Sequence, residues 1–82
     1  MSIGYSILKI VNKKYEPNTK VEKAFRGNDM AFLTDAEGNP VTLFIGKRRL
    51  DGTIKGERYS RVLKTDLSGN IIKDHWDLKG KV

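Results

Sequence analysis

Thr34-Asp35-Ala36-Glu37-Gly38-Asn39 and Thr65-Asp66-Leu67-Ser68-Gly69-Asn70 share the pattern T-D-x-x-G-N, and each stands between runs of alternating apolar residues. An Asp at the head of a type I turn accepts a hydrogen bond from the backbone two residues on. The Gly supplies the positive-φ position that closes a hairpin with a bulge. Two hairpins are expected: Met30–Thr34 with Pro40–Arg48, and Arg58–Thr65 with Ile71–Leu78. Two matches are too few to define a repeat architecture, and shared turn chemistry accounts for them.

Outward from these turns, Leu50-Asp51-Gly52-Thr53 carries a two-residue Asp-Gly turn signal that brings Ile54 onward back against Lys47–Arg49. Gly56 interrupts the next strand and marks a bulge or bend. Val21, Lys23 and Phe25 alternate with Lys20, Glu22, Ala24 and Arg26, which predicts a strand. Thr19-x-x-Glu22 matches a capping box, so one short helix near 19–27 is the alternative. Gly27-Asn28-Asp29 breaks the pattern, and Asn12–Thr19 is a polar connection with a Pro17-Asn18 turn. Tyr5–Val11 (YSILKIV) is rich in β-branched and aromatic residues and reads as a further strand. The expected fold is all-β and mainly antiparallel: a meander of five to six strands, closed as a small barrel or left as a curved sheet.

Eighty-two residues make a single β-rich domain over 1–82. So short a chain buries a modest core, and without cysteine no disulfide or thiolate-bound metal braces it. Met1–Val11 lacks a basic start, a long apolar run and a small-residue cleavage site, so it does not read as a leader. No run of about 20 apolar residues is present, which argues against membrane partners, and a cytoplasmic protein is expected.

The formal net charge is +6, and it is uneven. Residues 1–41 hold six basic and five acidic side chains, whereas residues 42–82 hold ten and five. A basic half attracts polyanions, although it also serves simply to keep a small domain in solution.

With Asp66 opposite Asn70 and an unbroken ladder, Val62 faces Asp74, Ser60 faces Trp76 and Arg58 faces Leu78. Val62, Ile72, Trp76 and Leu78 then form an apolar stripe, with Trp76 as a core anchor. Tyr59, Arg61, Lys73, His75 and Asp77 form a basic and aromatic stripe on the other side. Arg and Lys contact phosphates and Tyr stacks on bases, so Tyr59, Arg61, Lys73 and His75, extended by Arg58, Lys47, Arg48 and Arg49, are the candidate binding residues. The bland reading of the same residues is a solvated sheet face with cross-strand pairs. In the first hairpin, Leu33, Ala31, Val41, Leu43 and Ile45 fall on one face and Met30, Phe32 and Phe44 on the other. Both faces are apolar, so Met30, Phe32 and Phe44 are the candidate interface for a homodimer or protein partner.

His75 is the sole histidine. Asp77 shares its face and Asp74 does not, so no metal set is expected. No cofactor motif, phosphate loop or nucleophile elbow is present. The balance is against an enzyme. The leading expectation is a non-catalytic interaction module that binds a protein or itself. The alternative is a nucleic-acid-binding small β-barrel using the basic half. A ribonuclease-type enzyme centred on His75 with Tyr59, Arg61 or Glu57 ranks third.

Overall fold

The computed structural model describes residues 4–81. Residues 1–3, part of the stretch weighed as a leader, lie outside the described residues. The elements are α1 (Tyr5–Val11), β1 (Lys20–Phe25), β2 (Asn28–Thr34), β3 (Pro40–Arg48), β4 (Ile54–Thr65) and β5 (Ile71–Lys81). The strands form one five-stranded antiparallel sheet in the order β1-β2-β3-β4-β5. The all-β meander is as expected. The sheet stays open, so the barrel alternative does not hold.

Three hairpins turn through the same backbone loop. Asp35 N–H donates to the Asn39 carbonyl (3.0 Å) and Gly38 N–H to the Asp35 carbonyl (3.1 Å). The same pair of bonds joins Asp66 with Asn70 and Gly69, and Arg49 with Thr53 and Gly52. Gly38, Gly52 and Gly69 sit at φ +84, +92 and +86°, where a Cβ is costly. The two-residue turn expected at Asp51-Gly52 is therefore this longer loop, with Asp51 Oδ1 accepting from Thr53 N–H. A true two-residue turn joins β1 to β2, with both Arg26 (φ 49°) and Gly27 (φ 81°) in left-handed backbone.

Each T-D-x-x-G-N turn is followed by a bulge. Thr34 pairs with Pro40 but Leu33 with Thr42, and Thr65 pairs with Ile71 but Lys64 with Lys73. Val41 and Ile72 are the extra residues. Period two then exchanges every face beyond them.

Tyr5–Val11 is a helix, not the expected strand, and residues 20–25 are strand, so the helix alternative near 19–27 is also overturned. Seven residues make no stable helix alone. Ile7, Leu8, Ile10 and Val11 fall three and four apart, and all pack on one face of the sheet. There they cover Met30, Phe32, Leu43 and Tyr59, which with Val11 are the buried cluster. Tertiary burial outweighs the β propensity of the segment. The linker to β1 is pinned by Tyr15, which stacks edge-on against Phe32 (4.8 Å) and donates to the Ile10 carbonyl (2.7 Å). Buried Thr34 donates to the Glu16 carbonyl and accepts from Thr19 N–H.

Candidate interaction surfaces

The bulge at Ile72 splits the expected basic stripe. Tyr59 pairs with Leu78 and Arg61 with Trp76, on the helix-covered face; Val62 pairs with His75 and Ser60 with Asp77 on the other. Tyr59 is 5% exposed, and its hydroxyl donates to Glu57 Oε2 (3.3 Å). Burial, and then the Glu57 charge, push its ionisation above the ordinary tyrosine range.

Arg61 is consumed internally. Its Nε and Nη2 grip Asp74 (2.6 and 2.7 Å), and its Nη1 donates to the carbonyls of Pro40 (3.1 Å) and Val11 (3.4 Å). Nη2 also reaches Asn12 Oδ1 (3.4 Å), and the guanidinium lies 5.5 Å from the Trp76 ring. Every N–H of the side chain is engaged, and only 6% of it is exposed. It fastens the C-terminal end of α1 to the sheet rather than offering a charge to solvent. The Arg61 hydrogen bonds hold the Asp74 carboxyl below the usual carboxylate range.

The other expected binding residues scatter. By alternation Lys47 projects to the covered side, where its Nζ donates to the Gly27 carbonyl. Arg48 projects to the uncovered side and pairs with Glu22, while its N–H donates to Asp29 (2.8 Å). Arg49 lies in the loop, reaching Thr53 Oγ1 (3.4 Å). Arg58, Lys73 and His75 share the uncovered face. His75 Nε2 stands 3.2 Å from Asp77 Oδ2, both half-exposed. Tyr59, Arg61 and Glu57 lie across the sheet from it. Among the described residues no three His, Asp or Glu side chains gather as a metal set, and no acid–base constellation surrounds His75.

The expected Met30, Phe32 and Phe44 interface is not one surface. The bulge at Val41 places Phe44 opposite Ala31 and puts Met30 and Phe32 with Leu43 and Ile45 under α1, where both are fully buried. Burial within one chain accounts for the Met30 and Phe32 side of the hairpin, whereas Ala31, Leu33 and Phe44 lie on the uncovered face.

Two surfaces that sequence reasoning missed emerge instead. Beyond the helix-covered core, β4 and β5 run on as an arm. Ile71 is 59% exposed, Ile72 66%, and Leu67 at the turn is wholly exposed. On this arm Lys64 stands directly opposite Lys73, and neither is in an ion pair among the described residues. The second surface is a hollow of about 380 Å³ on the uncovered face, lined by Lys20, Ala31, Leu33, Phe44, Arg49, Thr53 and Ile54. The expected core stripe of Val62, Ile72, Trp76 and Leu78 does not form, because Ile72 is the bulged residue and stays exposed, and the turn that leaves Leu67 and Ile71 in solvent was read only for its backbone. No helix among the described residues is long and apolar enough to cross a membrane.

Comparison with known proteins gives no match: no protein-family model, no curated protein and no solved structure is significantly similar to the chain.

Proposed function

We propose that the chain is a small non-catalytic interaction module that docks on a protein partner through the β4–β5 arm. The observation that carries this reading is the exposure of Leu67, Ile71 and Ile72, at and just after the β4–β5 turn, near a Lys64–Lys73 pair that makes no ion pair among the described residues. Three large apolar side chains left in solvent within residues 67–72 favour burial against another surface. Like charges directly opposite across a strand pair are unfavourable, and an acidic partner relieves them. A second copy of the same basic arm brings more positive charge to the pair, so a different, acidic protein fits better than self-association.

The test is affinity capture from the native cell at low salt, comparing the wild type with Ile71→Ser/Ile72→Ser. A protein held in fixed stoichiometry, released by salt and lost with the double variant, supports the reading. Equal capture by the two forms, with circular dichroism showing both folded, rejects it. Titration of labelled single- and double-stranded RNA and DNA addresses the nucleic-acid alternative. Binding tighter than about millimolar, with a steep salt dependence, favours that alternative.

A further inference from the structure

We infer that the hollow on the uncovered face is a binding site for a small apolar carboxylate, such as a medium-chain fatty acid. In the ladder, Lys20 pairs with Leu33 and Leu33 with Thr42, so these residues mark one end of β3. Arg49 lies past the other end, on the order of 20 Å away along a straight strand. Both ends nevertheless line one hollow, which requires the β3–β4 hairpin to bend toward this face. Gly46 and Gly56 pair midway along this hairpin, and a Cβ on either would collide with the facing carbonyl oxygen, of Lys55 or of Ile45, so the two strands approach closely there. The bulge expected at Gly56 is absent, since the β3–β4 ladder runs unbroken through it, and the glycine instead permits this close approach.

The hollow is thus a half-open concavity of the uncovered face. Its volume, about 380 Å³, falls at the small end of the range for small-molecule sites. Its apolar lining is Ala31, Leu33, Phe44 and Ile54, of which Ala31 and Ile54 are buried. The charged residues that line it are Lys20 and Arg49, and neither is in an ion pair among the described residues. No carboxylate lines it. Nearby Asp51 is already engaged by the Thr53 hydroxyl and N–H, which hold its carboxyl below the usual carboxylate range, with the Arg49 charge adding to them. Thr53 Oγ1 in turn accepts from Arg49. An apolar hollow lined by two cations and no acidic side chain selects an apolar body with an anionic end.

The inference is independent of the arm, which lies at the opposite end of β4. Titration of the intact protein with octanoate, below its micellar range and followed by amide NMR, tests it. The expected result is saturable shifts centred on Ala31, Leu33, Phe44 and Ile54, with a Kd on the order of a millimolar or tighter. Octyltrimethylammonium binds at least about tenfold more weakly if one charge contact is worth its usual share. Lys20→Gln/Arg49→Gln lowers octanoate affinity by a similar factor, and Ala31→Leu, which fills the hollow, abolishes it. Where Ala31→Leu does not fold, the surface double variant decides. No saturable shift, equal affinity for the cationic amphiphile, or unchanged affinity in the double variant overturns the proposal. So does a response of these amides to an acidic apolar peptide without one to octanoate, which assigns the hollow to a protein.

Discussion

Arg61 shows what one residue of register decides. As a member of an exposed stripe it is a phosphate contact; opposite Trp76 it is the clamp between α1, β3 and β5. Removing it strands Asp74 and two backbone carbonyls, and Arg61→Ala is expected to cost about 3 kcal/mol in urea unfolding. Arg61→Lys recovers little, because an ammonium cannot reproduce the planar fork. The same pair predicts a pH effect. Asp74 is held low in the folded chain, so the unfolded chain binds its proton first as pH falls. The stabilisation is complete above the unfolded value, about 3.9, and is lost as pH drops through the lower folded value. Asp74→Asn should flatten the fall in stability below about pH 4. It should not abolish that fall, because Asp51 and Asp66 are lowered too.

The turns were legible at the level of elements because their chemistry is local. Asp35 and Asp66 each accept from the backbone N–H two residues on, as expected, and also from the N–H four residues on, at 2.9 Å in every case. The bulges at Val41 and Ile72 were not legible, since neither is a glycine and nothing local marks them. What selects them is the burial that follows: Leu43 and Ile45 join Met30 and Phe32, and Trp76 joins Arg61 and Tyr59. The helix at Tyr5–Val11 escaped because its β-branched and aromatic composition outweighed the three- and four-residue spacing of its apolar positions, and only packing on the sheet realises that spacing. The two matching turns should respond differently to one substitution. Gly69 has open space around a built Cβ, so Gly69→Ala costs only its left-handed backbone, about 1–2 kcal/mol. At Gly38 the Cβ also collides with the Tyr15 carbonyl oxygen, so Gly38→Ala should be clearly worse in thermal or urea melts.

At the scale of the molecule, the chain measures 43 × 26 × 20 Å, its core gathered under one short helix. Of the two free edges, β5 carries two bulges and the charges Lys73, Asp74, His75, Asp77, Lys79 and Lys81. Those features discourage strand addition, which directs attention to the arm and the uncovered face. Met30 belongs to the core, so Met30→Ala should lower unfolding stability by about 2–5 kcal/mol without altering the sedimentation of the folded fraction. The β4–β5 register underlies all of this, because it decides whether Tyr59, Arg61, Lys73 and His75 share a surface. Cross-strand NOE measurement reads it directly. Backbone contacts of Val62 with His75 and of Arg61 with Trp76 are the predicted result; contacts of Val62 with Asp74 and of Arg61 with His75 would contradict it and restore a single basic stripe.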